Sequence, residues 1–206
     1  MLLAYYGEAG GLSADISALS EYRRERINAM KAPLKKQQGI CAELLLYEAL
    51  KKAAPDIAPP PEISVNEHGK PYLKDGGVFF SLSHSENLSF CAVSELELGA
   101  DVQQVRPYDR RLMLRFFTAG ERKYIESCPD MDCAFTRVWA LKESYIKAVG
   151  LGLSIPLSSF DLCPKGELMS EIDGHYFWHW QAEGCIFAIC VKNGSTEPDI
   201  FKKIDL

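Results

Sequence analysis

The run Val138-Trp139-Ala140-Leu141-Lys142-Glu143-Ser144-Tyr145-Ile146-Lys147-Ala148-Val149-Gly150-Leu151-Gly152-Leu153 has the spacing of a single helix. Phe135, Val138, Trp139, Leu141, Ile146 and Val149 supply its buried side, and Gly150 is a natural left-handed stop after Val149. Glu143 and Lys147 are four residues apart, about one turn or roughly 6 Å of rise, so they share a face. Standing alone, such a pair reads as a surface ion contact of little worth. Upstream, Leu98 to Val105 alternates as a strand, which puts Asp101 and Gln103 on one face about 7 Å apart and turns Ala100 and Val102 the other way. An aspartate disfavours a strand, and metal ligation is one reason to keep it there.

Working outward toward the N-terminus, residues 2–6 read as a first strand, and Ser13 or Ser20 is placed to cap a helix that carries Arg23, Arg24 and Arg26. From composition alone that helix is a solvated charged face. A second helix is expected over about 37–53, broken by Pro55 and by Pro59-Pro60-Pro61. Ile63 to Val65 is a short strand that leads into the turn Asn66-Glu67-His68-Gly69-Lys70-Pro71. Val78 to His84 and Leu88 to Val93 are two further strands, the first turning polar at Ser83 and His84. A hydroxyl, an imidazole and the nearby Lys70 ammonium all donate to anionic oxygens, which favours phosphate recognition there.

Toward the C-terminus, Arg110 to Phe117 is an amphipathic helix, and Thr118 with Glu121 forms a capping box for the next. The long helix begins near Asp132 and is ended by Ile155-Pro156-Leu157; Trp139 reads as a core anchor. Phe160 to Leu162, Tyr176 to Gln181 and Ile186 to Lys192 read as strands, the last two joined by the turn Ala182-Glu183-Gly184. His175 and His179 are rejected as a metal pair, because four residues along a strand separate them by roughly 13 Å. The two halves of the chain share an order of helix followed by strands.

The net charge of −5 argues against a general nucleic-acid binder. No apolar run approaches the 18 or so residues of a membrane helix, and Met1 to Tyr6 is too short and lacks the basic start of a secretory signal. Seven cysteines without a C-x-x-C pair, several in apolar runs, fit reduced structural thiols. A cytoplasmic protein with no membrane association is expected.

Trp139, Lys142-Glu143, Lys147, Gly150 and Gly152 resemble the W-x-x-K-E-x-x-x-K-x-x-G-x-G signature of 4′-phosphopantetheinyl transferases of the surfactin-synthetase type. Gly99-Ala100-Asp101-Val102-Gln103 resembles that family's G-[VI]-D-[IV]-E, at the required distance upstream. Gly69-Lys70-Pro71 and Ser81-Leu82-Ser83-His84-Ser85 stand where the family keeps G-K-P and [FN]-[SI]-S-H-[ST]. The resemblance runs from about Arg23 to Phe160 and is strongest from Gly69 to Leu153.

It implies an α+β pseudo-dimer of two similar halves around a central cleft, with an N-terminal half over 1–97 and a C-terminal half over 98–206 that carries the metal motifs. It implies a magnesium ion, or manganese, held by Asp101, Gln103 and Glu143, with coenzyme A as substrate. Arg23 and Arg26 are implied at the 3′-phosphate, and Lys70, Pro71, Ser83, His84, Lys142 and Lys147 around the other phosphates. The implied reaction is attack by a serine of an acyl or peptidyl carrier protein on the phosphorus bearing the pantetheine arm, with adenosine 3′,5′-bisphosphate expelled, Glu143 taking the serine proton and Lys147 neutralising the departing phosphate. A monomer is implied, with the carrier docking near Arg110, Arg111, Arg115 and Phe116. This sequence departs from the pattern at Gln103, where the family has a glutamate, which leaves −2 in place of −3 on the ligand side chains. It departs again at Gln38 and Gly39, where many relatives carry an arginine or threonine near the adenine. Two other readings stand beside transfer: a catalytically impaired coenzyme A-binding relative, and a magnesium-dependent phosphohydrolase.

Overall fold

The computed structural model describes residues 1–12, 16–194 and 197–206, and of Leu153 the backbone alone. Ser13, one of the two expected caps, lies outside the described residues; Ser20 takes that role, its hydroxyl accepting the Arg23 N–H at 3.2 Å. The first half runs β1 (Leu2–Glu8), α1 (Glu21–Ala29), α2 (Pro33–Ala53), β2 (Ile63–Val65), β3 (Pro71–Leu73), β4 (Phe79–Ser85) and β5 (Leu88–Ser94). The second runs β6 (Leu98–Gln104), α3 (Arg110–Phe116), α4 (Ala119–Ser127), α5 (Met131–Val149), β7 (Glu171–Ile172), β8 (His175–Ala182) and β9 (Cys185–Lys192). A final strand, β10 (Ile200–Lys203), crosses back to pair parallel with β1.

Each half repeats one scheme: a strand, a long helix, then a hairpin whose second strand pairs antiparallel with the first. The sheets are ordered β10-β1-β5-β4 and β6-β9-β8-β7, so β1-β5-β4 and β6-β9-β8 correspond. The chain is therefore an α+β pseudo-dimer, layered as helix, sheet, sheet and helix. Period-2 alternation builds those layers. Leu2, Ala4, Tyr6, Phe90 and Ala92 from one sheet meet Ala100, Val102, Phe187 and Ile189 from the other in a shared core. The opposite faces, Tyr5, Cys91 and Val93 in one half and Ile186, Ala188 and Cys190 in the other, are covered by α2 and α5. Glu183 and Gly184 both have positive φ, 51° and 68°, the backbone of a two-residue hairpin turn.

Three expectations need correcting. Phe160 to Leu162 is not a strand: Leu162 gives its N–H to the Glu121 carboxylate and the segment passes as a loop over α4. The short strands β3, β7 and β10 carry too few residues for alternation to show, and β10 mixes lysines into its edge. The second helix starts at Pro33, whose fixed φ suits a first turn, rather than near Gln37, and of the two stops read for the long helix Gly150 ends α5 in the left-handed conformation while Pro156 lies beyond it.

The halves join along β4 and β6, and they join through side chains. The N–H groups of Ala100, Val102 and Gln104 donate to the hydroxyls of Ser81, Ser83 and Ser85 at 2.9, 3.3 and 2.9 Å. Alternate β6 residues turn their backbone away from β9, and here serines take the place of a neighbouring strand. On the face toward α5, a Cβ at Gly99 would lie 2.0 Å from the Ser144 carbonyl oxygen and 2.3 Å from the Ala148 nitrogen, so only glycine lets the helix settle onto the strand. Ser81 lies in this seam without touching an acidic group. Replacing it with alanine leaves the Ala100 N–H buried and unpaired, so Ser81→Ala is expected to lose about 1–3 kcal/mol in urea denaturation. Ser81→Thr, which keeps the hydroxyl, is expected to restore most of that loss.

Candidate active site

A cavity of about 430 Å³ opens where the halves meet, walled by β4 and β6, by α1, by the 68–71 turn and by the end of α5. Asp101 is 2% exposed on its floor and is heavily engaged. Its Oδ1 accepts the Ser83 hydroxyl and the Lys147 ammonium, each at 2.7 Å, and its Oδ2 accepts the Gln103 amide at 2.8 Å. Lys147 also donates to the Ala100 carbonyl at 3.0 Å. Lys147 thus pairs across the molecule with Asp101, not along its own helix with Glu143.

Glu143 has no hydrogen-bond or ion-pair partner among the described residues. Burial, reinforced by the charge of Asp101 and partly offset by Lys147, raises its carboxyl above the ordinary carboxylate range. Asp101 and Gln103 line the cavity and Glu143 does not, so the two carboxylates and the amide would make an all-oxygen donor set only with the Glu143 side chain turned inward and the Gln103 amide turned oxygen-first. Hard divalent cations take such sets and complete their shell with water or phosphate oxygens. The oxygen chemistry of those three side chains is that of a magnesium or manganese site, and among the described residues no group of three or more His, Cys, Asp and Glu side chains stands together.

Arg23, Arg26, Lys70, Pro71, Ser83 and His84 all line the cavity, as the sequence led us to expect. The Arg23 Nε donates to Glu43 at 3.1 Å, which orients a guanidinium that lines the cavity. Glu43 is fully buried and also accepts the Ser20 N–H at 2.6 Å and the Tyr47 hydroxyl at 2.7 Å. The ring of Tyr22 lies 5.7 and 5.5 Å from the guanidiniums of Arg23 and Arg26. Burial, then the charge of Lys35, lowers the His84 imidazole below its usual value. Lys70 spans the halves, its Nζ donating to the carbonyls of Leu98 at 3.1 Å and Ala148 at 3.0 Å. Tyr22 and Glu43 escaped the sequence reading, although a glutamate inside the apolar run Cys41-Ala42-Glu43-Leu44-Leu45 was a visible signal.

Lys142 does not reach this cavity. It is fully buried on the far side of α5, where its Nζ lies 2.6 Å from Glu121 and donates to the carbonyls of Leu157 at 2.7 Å and Phe160 at 2.8 Å. The expectation that it meets a phosphate oxygen is overturned: every donor it has is taken by the core. Gln38 and Gly39 stay away from the ligand surface as well. Gln38 is buried and donates to the Glu86 carbonyl, and Gly39 lies under the Arg23 side chain.

The family model for the 4′-phosphopantetheinyl transferase superfamily matches residues 97–190. A 4′-phosphopantetheinyl transferase of Bacillus subtilis is 31% identical over 173 residues, which is 81% of this chain and 77% of that protein. The chain belongs to the 4′-phosphopantetheinyl transferase superfamily. Other relatives match over less of their own length. The transferase gsp of Aneurinibacillus migulanus is 36% identical over 97 residues, 46% of this chain and 40% of gsp. Sfp of Bacillus subtilis strain 168 is 31% identical over 147 residues, 66% of each. A solved holo-[acyl-carrier-protein] synthase of Thermotoga maritima covers 47% of this chain and 62% of its own at 19% identity with a TM-score of 0.39, too slight a likeness to argue from.

The superfamily signature thus contains two lysines with different work. Removing Lys142 strands the Glu121 carboxylate in the core, and breaking a buried pair by one partner costs about 3–5 kcal/mol. Lys142→Ala is expected to lose that much in chemical denaturation. The double variant Lys142→Met with Glu121→Gln, which removes both charges and keeps an acceptor for the Leu162 and Thr118 N–H groups, is expected to recover a large part of it.

Proposed function

We propose that this chain is a holo-[carrier protein] synthase, moving the phosphopantetheine arm of coenzyme A onto a serine of an acyl or peptidyl carrier protein and releasing adenosine 3′,5′-bisphosphate. The observation that carries the reading is one cavity lined by Asp101 and Lys147, bonded to each other from two elements, and by Arg23, Arg26, Lys70 and His84, with the raised carboxyl of Glu143 one helical turn from Lys147 and within the field of Asp101. A pocket that sets several cations around one buried carboxylate suits a polyphosphate that brings a divalent cation.

The residues divide the work by what each has left to give. An ammonium has three donors, and Lys147 spends two on Ala100 and Asp101; the third is free for an oxygen of the departing phosphate. Glu143, unpartnered and raised by burial and Asp101, takes the proton of the carrier serine as its oxygen bonds to phosphorus. The bond between that phosphorus and the bridging oxygen breaks, and its electrons leave with the adenosine bisphosphate. A magnesium or manganese ion held by Asp101, Glu143 and the Gln103 amide would supply neutralisation of the pyrophosphate charge. Arg23, oriented by Glu43, and Arg26 hold the 3′-phosphate end.

The carrier docks on α3, where Leu112 and Leu114 are 38% and 54% exposed beside Arg111 and Arg115, an apolar and basic surface suited to an acidic helix despite the net −5. The two halves already bury their shared face within one chain, which favours action as a monomer. All seven cysteines are free, in keeping with a reducing, cytoplasmic setting. No helix among the described residues is long and apolar enough to cross a membrane.

Incubation of an apo carrier with the protein, coenzyme A and magnesium is expected to raise the carrier's mass by one phosphopantetheine, and a chelator is expected to abolish the gain. Glu143→Gln should lower kcat by about 10²- to 10⁴-fold, the range of a lost general base. Gln103→Glu should tighten divalent-ion binding to the free protein by roughly tenfold through its added charge, read by calorimetry. An unchanged carrier mass would sink the reading. Phosphate released from simple esters without a carrier would point to hydrolysis, and activity appearing only in Gln103→Glu would mark an impaired relative.

A further inference from the structure

The turn between β2 and β3 belongs to the first half, and it seats itself on the end of the helix that carries Glu143 and Lys147. Asn66 organises that contact with every group it has. Its Oδ1 accepts the N–H of His68 at 3.0 Å and of Lys70 at 2.8 Å, while its own N–H donates to the Lys70 carbonyl at 2.9 Å and its carbonyl accepts the Gly69 N–H at 2.9 Å. Those bonds fix the loop that brings His68, Gly69 and Lys70 to the cavity wall. The remaining group, Nδ2, reaches into the other half and donates to the Gly150 carbonyl at 3.1 Å. Gly150 is the left-handed cap of α5, with φ 76°, three residues beyond Lys147. A Cβ there would lie 3.0 Å from the Lys70 side chain, and one at Gly152 would lie 3.5 Å from the His68 carbonyl. The two glycines of the helix-end signature therefore form the seat for this turn.

We propose that Asn66 is a positioning residue for transfer: its amide clasps the C-terminal cap of α5 to the first half and so holds Glu143 and Lys147 in register with Asp101. The proposal rests on the transfer reading for its kinetic consequence and on the geometry alone for the clasp. Lys70 reinforces the clasp at Ala148 and Leu98, but on a long flexible stem. The short amide is the rigid member. Asp101 is held from the β4 side by Ser83, and α5 meets β6 at Gly99, so a helix end that drifts carries Lys147 off the carboxylate that anchors it.

The decisive comparison is Asn66→Asp against Asn66→Ala. Aspartate keeps the acceptor that shapes the turn and is nearly isosteric, so it folds, but it has no donor for Gly150. Both variants are expected to exchange the amides of residues 147–152 with deuterium about tenfold faster than the parent, consistent with loss of one hydrogen bond. Both are expected to lower kcat by about 10- to 100-fold through misplacement of the reacting groups, with the carrier KM within about twofold of the parent. If Asn66→Asp behaves as the parent in exchange and kcat, Asn66 serves only its own turn and the proposal is overturned. Faster exchange with unchanged kcat overturns the positioning role equally. A parent protein that transfers nothing would refute the transfer reading, while the exchange comparison would still decide whether the clasp exists.

Discussion

The outer edge of β6 is the constraint on which the rest depends. A strand pairs on two sides or leaves backbone groups that must be satisfied some other way. Here β9 takes one side, and on the other the N–H groups of Ala100, Val102 and Gln104 go to serine hydroxyls while the carbonyls of Leu98 and Ala100 go to the ammoniums of Lys70 and Lys147. Side chains from three different segments thus do the work of one neighbouring strand. Because hydroxyls and ammoniums stand between β4 and β6, the two halves are joined and yet held apart, and the space left over is the cavity. Of the groups that satisfy the edge, Ser81, Ser83, Lys70 and Lys147 also line that cavity.

Asp101 shows why fold and function are hard to separate at this place. Buried aspartate is costly unless its charge is met by donors. Ser83, Lys147 and Gln103 meet it here. Ser83 belongs to the seam, Lys147 to the edge, and Gln103 to the same face of β6, so no group is present for the carboxylate alone. Glu143, by contrast, has no hydrogen-bond donor among the described residues, and burial leaves its carboxyl raised despite the charge of Lys147. Two acids side by side, one satisfied and one not, are the arrangement from which acid–base roles are assigned.

Much of this was legible in the sequence, and what was missed follows a pattern. The long helix, its glycine stop, the capping box at Thr118 and Glu121, and the alternation that turns Asp101 and Gln103 to one face all rest on local rules, and the structure shows each of them. The gathering of Arg23, Lys70, Ser83 and His84 on one cavity came from the family resemblance, since no local rule ties those positions together. What escaped was non-local: the return of β10 to β1, separated by almost the whole chain, and the pairing of Lys147 with Asp101 instead of its helical neighbour. Spacing along a helix says which side chains share a face, not which partner across the molecule will claim them. Asn66 looked like turn punctuation because two of its three side-chain bonds are local; the third crosses to the other half.

The two lysines of the signature make the same point in quantitative form. Five residues at about 100° each place Lys142 and Lys147 roughly 140° apart around α5, so they cannot face one cavity. Glu143 and Lys147, about 40° apart, can. Lys142 instead turns toward the 157–160 loop, where Glu121 ties together the capping box of α4, the Leu162 backbone and the lysine charge. Burying that pair gives little net stability of its own. It does fix the rotation of α5 about its axis, because any turn of the helix that moved Lys142 off Glu121 would strand both charges in the core. The face carrying Glu143 and Lys147 is then set by a residue that touches no ligand, and the helix presents its chemistry to the cleft because its opposite side has only one place to go.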